Sequence, residues 1–276
     1  MLLLVKARER FPLSSTISTL GEDTVPAGVA TRDGYRPQRF TVFLDAFPLF
    51  SVVKGYVEIS RGCPHACGYC QTSRMIGHLM RHRNIDTIVE WSHRYRDIRF
   101  VSPNAFAYGS SGRIPRWEKV EQFLKSLKGN ILFGTFPSEV RPEFITKVAL
   151  ELVTTYCMNT HLHFGAQSGS NQVLRTLRRG HTVRDVEIAV DLCREHGLVP
   201  VVDFIVGLPM ESEEDERKTM DLIQEITRNG RVRVHQFLPL PGTPLARSVP
   251  HPLLSSTTKI LGRLALEGTL TGSWKG

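Results

Sequence analysis

Arg61-Gly62-Cys63-Pro64-His65-Ala66-Cys67-Gly68-Tyr69-Cys70 holds three of the chain's five cysteines in a C-x3-C-x2-C spacing. Three thiolates on one short loop form a set of metal donors. A structural zinc ion takes four nitrogen or sulfur ligands, usually from paired C-x2-C or Cys/His sets, and no second pair lies close in sequence. Iron–sulfur clusters are held by thiolates, and three cysteines on a four-iron cluster leave one iron without a protein ligand. Chemistry can take place at that open iron. The competing readings are a structural zinc loop, or three cysteines buried as small hydrophobes.

At 276 residues and 41% hydrophobic, the chain can bury a full core, and one α/β barrel fits this length. No apolar run approaches the roughly 18 residues that span a bilayer, and Leu2-Leu3-Leu4-Val5 is too short for a signal-peptide core. The cysteines are grouped for metal and not spread as pairs, so the expected compartment is the reducing cytoplasm, with no membrane partner. Thirty-five Lys and Arg against 27 Asp and Glu give a net charge of +8. That balance permits a nucleic-acid partner without favouring one.

Residues 1–48 show little periodicity and several breakers, among them Pro26-Ala27-Gly28, Asp33-Gly34 and Pro37, and read as an irregular amino-terminal arm. A core over 49–245 and a helical carboxyl-terminal extension over 246–276 follow. Strands are expected at 55–60, 98–102, 131–134, 161–166, 199–206 and 232–237. Helices are expected from Asp86 as cap to about Arg96, and at 117–127, 143–155, 171–177, 183–195, 213–227 and 257–266. Strands alternating with helices argue for parallel βα units. Six strands in place of eight define the fold class as α/β, a partial (βα)6 TIM-type barrel. The cysteine loop then sits at the carboxyl end of the first strand, where such folds build their active sites.

The cysteine spacing, with aromatic Tyr69 before the last cysteine, resembles the radical S-adenosylmethionine (radical SAM) superfamily. The resemblance implies a [4Fe-4S] cluster on Cys63, Cys67 and Cys70, with SAM chelating the open iron. An electron from a low-potential donor then cleaves the sulfonium and releases a 5′-deoxyadenosyl radical. Four residues beyond the strands match, in type and order, the SAM-binding set of the oxygen-independent coproporphyrinogen oxidase branch. Glu139 would take the amino group, Gln167 and Asp203 the ribose, and Arg179 the carboxylate. Tyr69 and Ser168 complete the expected cofactor-binding set. These chemistries are sound in themselves: a carboxylate accepts from an ammonium, an amide reads a hydroxyl and a guanidinium clamps a carboxylate. The plainer alternatives are a surface ion pair for Glu139 and Arg179 and a strand-end cap for Gln167.

Val101-Ser102-Pro103-Asn104-Ala105-Phe106-Ala107-Tyr108-Gly109, the block from Gln167 to Thr182, and Leu240-Pro241-Gly242-Thr243-Pro244 narrow the resemblance. They are similar to the branch of methylthiotransferases and elongator-like proteins, and to a mostly archaeal subfamily that joins a cobalamin-binding domain to a radical SAM domain. That domain has no counterpart in the arm, which lacks a D-x-H-x-x-G motif, so use of cobalamin stays open. The three extra cysteines of methylthiotransferases have none either. Met210 replaces the glycine usual before Glu211. The leading expectation is methyl transfer to an unactivated carbon of an unknown substrate, with a separate cobalamin-binding protein as a candidate partner. Sulfur insertion is second, a non-catalytic SAM or haem carrier third, and a truncated gene product a further alternative.

Other residues carry two readings each. Arg81-His82-Arg83 could track phosphates or balance charge beside the cluster. His161 and His163 share one strand face, which either lines the barrel or packs in a core. Cys157 and Cys193 read as core, Trp117 and Trp274 as packing anchors, and Glu213 to Glu216 as an acidic helix start.

Overall fold

The computed structural model describes residues 55–274, together with the backbone of three short amino-terminal strands. The chain divides into two compact units, Met1–Pro48 and Leu49–Gly276. In the first, β1 (Leu3–Leu4), β2 (Val29–Thr31) and β3 (Gly34–Tyr35) form an antiparallel sheet. The remainder of the arm expected over 1–48 lies outside the described residues.

The second unit is built on strands that alternate buried and open positions. β4 (Gly55–Glu58), β7 (Asp97–Val101) and β8 (Asn130–Leu132) pair in parallel. Between the first two, β5 (Ser60–Arg61) and β6 (Arg81–His82) form a small antiparallel ladder across the cysteine loop. β9 (His161–Gln167), β10 (Val199–Val206), β11 (Arg231–Gln236) and β12 (Leu270–Ser273) form a second parallel sheet. The His163 N–H donates to the Gly134 carbonyl at 2.9 Å, and Val140 bridges Phe164, which joins the two sheets into one partial barrel.

One face of these strands is apolar: Ile98, Phe100, Leu162, Phe164, Val202, Phe204 and Val234 are fully buried. The helices α1 (Thr72–Ile76), α2 (Ile85–Ser92), α3 (Trp117–Lys125), α4 (Lys147–Tyr156), α5 (Asn171–Thr176), α6 (Val183–Glu195), α7 (Glu213–Thr227) and α8 (Ser255–Leu266) supply the matching layer. Phe100 meets Phe123 of α3 edge-on at 5.2 Å, and Phe133 at 5.7 Å. Burial of each such ring contributes roughly 1.5–3 kcal/mol. The opposite, concave face carries the polar residues.

All six expected strands are present, and β12 is a seventh parallel strand, contributed by the segment expected to be a helical extension. Asn84, not Asp86, caps α2: its side chain accepts from the Asp86 N–H. The helix expected over 143–155 is a 3-10 turn at Pro142–Phe144 followed by α4, which Thr146 caps. Pro142 at the start of that turn and the extended backbone at Thr146 separate the two. Cys193 is buried core and Cys157 half-buried at the end of α4, and burial pushes both thiols up to about 12. The acidic run opens α7 as expected, with Asp215 closing a capping box on Ser212.

Candidate active site

Backbone geometry delivers the cysteine loop to the carboxyl end of β4. Gly62 has φ +89, and a Cβ there would stand 2.1 Å from the Leu79 carbonyl oxygen, so only glycine lets the chain enter the loop this way. The Cys63 N–H donates to the Gly77 carbonyl, and the Gly68 N–H to the Leu177 carbonyl at 2.8 Å. Arg74 reaches back to the Cys70 carbonyl at 3.0 Å. The Thr72 N–H donates to Cys70 Sγ at 3.4 Å. Cys67 is buried, and Cys63 and Cys70 are half-buried.

Arg81-His82-Arg83 does not form a phosphate track. Arg83 is buried and donates to the Glu58 carbonyl at 2.8 Å, Arg81 donates to the Ile76 carbonyl, and His82 bonds the Ser110 carbonyl at 2.6 Å. Glu58 takes both Arg61 and Arg83. The cluster of charge is scaffolding for the loop.

Arg179 comes from the segment after α5 and is 9% exposed. Its Nη2 donates to the Gly165 carbonyl at 2.9 Å, and its Nη1 stands 3.9 Å from Cys67 Sγ. Burial works against its charge, but Tyr69, Cys67 and Glu143 more than offset that and keep the guanidinium charged. Buried Arg141, which sequence reasoning passed over, donates to the Arg179 carbonyl and pairs with Glu143. A Cβ at Gly165 would meet the Gln167 amide at 2.0 Å and Arg179 Nη2 at 2.9 Å, so any larger residue would push these two side-chain ends aside. Gln167 ends β9 at φ +73, a conformation that costs a non-glycine residue of order 1–3 kcal/mol.

Asp203 lies level with Gly165 on one side and Arg233 on the other. Arg233 Nε is 3.3 Å from Asp203 Oδ1, and its Nη1 is 3.7 Å from Glu139 Oε1. Burial pushes the Asp203 carboxyl up to about 7, against the pull of Arg233. Arg233 was not singled out by sequence reasoning; its signal was the basic alternation Arg231, Arg233, His235 on one strand face. Ser168 is turned elsewhere: it is fully buried, lies 3.2 Å from Thr219 of α7 and accepts from the Ser170 N–H. Half-buried Tyr69, with Met210, packs on Val173, Leu177, Leu208 and Phe237.

The site thus brings Cys67, Arg179, Gly165 and Gln167 together, with Asp203, Arg233 and Glu139 linked beside them on the concave face. The donor set fits a thiolate-held cluster with an amino-acid and ribose-bearing ligand. Buried Arg179 Nε has no hydrogen-bond partner among the described residues, which is what a cation position for a ligand requires. Among the described residues no three Cys, His, Asp or Glu side chains converge on a single ion. Thiolates of a four-iron cluster each take a different iron and need not converge.

An α/β partial barrel with a three-cysteine loop at the mouth of its first main strand defines an iron–sulfur enzyme class. The sequence model of the Radical SAM superfamily matches residues 57–223, and the chain belongs to that superfamily. It is therefore an enzyme of the class that uses a [4Fe-4S] cluster and SAM and takes an electron from a donor. The chain is 31% identical over 201 residues to a probable threonylcarbamoyladenosine tRNA methylthiotransferase of Archaeoglobus fulgidus, covering 69% of this chain and 46% of the relative. It is 26% identical to the threonylcarbamoyladenosine tRNA methylthiotransferase of Thermotoga maritima, covering 72% and 49%. The chain spans about half the length of these curated relatives. In fold it is similar to the radical SAM methyltransferase TsrM of Kitasatospora setae, solved with cobalamin and a [4Fe-4S] cluster bound, at a TM-score of 0.57 and 17% identity, covering 70% of this chain and 38% of that one. No helix among the described residues is long and apolar enough to cross a membrane.

Proposed function

We propose that Cys63, Cys67 and Cys70 hold the cluster and that Glu139, Gln167, Arg179 and Asp203 hold SAM for reductive cleavage. The observation that carries this reading is Arg179, a buried cation suspended between Cys67 and the Gly165–Gln167 strand end. When bound, the cluster and SAM supply a 5′-deoxyadenosyl radical, the hard chemistry that a cofactor brings to a protein. Arg179 neutralises a carboxylate next to the loop, and its own place is set by Arg141. Asp203 and Gln167 present oxygen acceptors to a ribose diol, and Glu139 accepts from an ammonium. Tyr69 and the apolar cluster beneath it keep water from the cysteine loop.

The transfer we favour is methylation of an unactivated carbon, with a cobalamin-binding protein as the partner, in a reducing compartment such as the cytoplasm. Sulfur insertion is the second reading, supported by the sequence likeness to methylthiotransferases.

The test is anaerobic. The chain is reconstituted with iron and sulfide, reduced and supplied with SAM, and 5′-deoxyadenosine is quantified beside a variant with all three loop cysteines changed to Ala. Product from the native chain alone is expected. A native chain that loads a four-iron cluster yet forms no product would leave a SAM-binding carrier, and one that loads no cluster would overturn the reading.

A further inference from the structure

The Arg233 guanidinium stands between two carboxylates that come from separate parts of the barrel. Its Nε lies 3.3 Å from Asp203 Oδ1, and its Nη1 lies 3.7 Å from Glu139 Oε1. Register sets the first contact, because Asp203 of β10 and Arg233 of β11 pair directly. Glu139 arrives from the segment after β8, so one side chain ties that segment to the second sheet. The Phe136 ring backs the guanidinium at 4.8 Å, a cation–π contact. His163 Nδ1, one level down the same concave face, lies 3.5 Å from Nη1. Side-chain exposures of 22% for Arg233, 15% for Asp203 and 30% for Glu139 leave the three partly buried, where salt screens them weakly.

Both separations exceed the roughly 2.7–2.9 Å of an aligned charge-assisted hydrogen bond. Arg233 therefore acts chiefly as a charge and leaves carboxylate lone pairs open to another donor. Two carboxylates sharing one recess resist ionising together, and a cation between them removes that resistance. The charged groups that act on Asp203 are Arg233 from β11, Glu139, and Arg179 from the segment after α5, while Gly165 beside it on β9 brings no side chain. Burial pushes the Asp203 carboxyl up, Arg233 pulls it back and Glu139 raises it again, the balance standing at about 7. His163 adds no charge, since burial, His161 and Arg233 lower its pKa to about 3. We infer that Arg233 is a positioning residue for SAM, the cation that lets Glu139 and Asp203 stand in one recess as acceptors for its ammonium and ribose hydroxyls. The inference rests on the reading of those two carboxylates as SAM ligands and adds the group that makes their joint use possible.

The test uses the anaerobically reconstituted protein and calorimetry with SAM, without reductant, at pH 6 and pH 8. Arg233→Gln removes the charge and keeps a polar side chain, whereas Arg233→Lys keeps the charge. At pH 8 Asp203 is ionised in the native protein but retains its proton once the cation is gone, so Arg233→Gln is expected to bind SAM about tenfold more weakly. At pH 6 Asp203 is protonated in both proteins, and the two affinities should lie within about threefold. Near-native binding at pH 6 also shows that the variant folds. Arg233→Lys should follow the native protein at both pH values. In an Asp203→Asn background, the pH dependence of the Arg233→Gln effect should vanish. Comparing proteins at one pH cancels the titration of SAM itself. A loss of equal size at both pH values would make Arg233 a structural ion pair and overturn the inference, as would failure of Arg233→Lys to restore binding. Native binding with Arg233→Gln indistinguishable from it at pH 8 would sink the inference alone, whereas a native protein that binds no SAM would sink the proposed SAM site and the inference with it.

Discussion

Gln167 and Asp203 each carry a cost that folding alone does not explain. At φ +73, Gln167 occupies backbone space that glycine enters freely. Gln167→Gly is therefore expected to stabilise the protein by about 1 kcal/mol, seen as a rise of roughly 2–4 °C in Tm, while weakening SAM binding about tenfold. A fall in both would mean that the amide serves the fold and not the ligand. Asp203 has its carboxyl pushed up to about 7 by burial, against about 3.9 in an unfolded chain. Between those values the folded state holds the proton and the unfolded state does not, so stability falls as pH rises from about 4 to 7. Asp203→Asn is expected to lack that loss and to exceed the native chain by about 1–3 kcal/mol at pH 8 but not at pH 4. Urea titrations at the two pH values check this. In the same variant, SAM affinity should drop, since one ribose acceptor becomes an amide donor.

At the scale of elements, the order of strands was legible because each carries a run of alternating or continuous apolar residues, as in Val199 to Val206. The cysteine loop was legible because its donors are adjacent in sequence. What escaped reading depends on partners far along the chain. Leu270-Thr271-Gly272-Ser273 offers one apolar residue and a glycine, and becomes a strand through the backbone of β11. Arg233 looks like the solvated side of an alternating strand until Asp203 and Glu139 are brought against it. The Gln167-Ser168 pair shows the same limit. The block placed both near the cofactor, but the Ser168 hydroxyl meets Thr219, whose own hydroxyl also accepts from the Gly169 N–H at 3.0 Å. Ser168→Ala should thus cost about 1 kcal/mol in stability and change the affinity for SAM less than twofold. A tenfold weaker affinity at unchanged stability would return Ser168 to the ligand set.

At the scale of the whole barrel, the concave face works only if its strands keep their register, and the last main strand bearing site residues, β11, would be an edge without β12. Gly272 sits at φ +131 level with Val234, and a Cβ there would stand 1.9 Å from the Val234 carbonyl oxygen. Pairing at this level needs close backbone approach, so Gly272→Ala must either push β12 away or strain both strands. The expected loss is more than about 2 kcal/mol, with faster amide hydrogen exchange at Val232 and Val234 than in the native chain. Because Arg233 rides on that strand beside Asp203 and Glu139, SAM affinity should weaken in this variant, although the ligand would not touch residue 272. Exchange that stays slow across β11 while β12 frays would show that β10 alone holds the strand, and the carboxyl-terminal strand would then be a cover and not a support for the site.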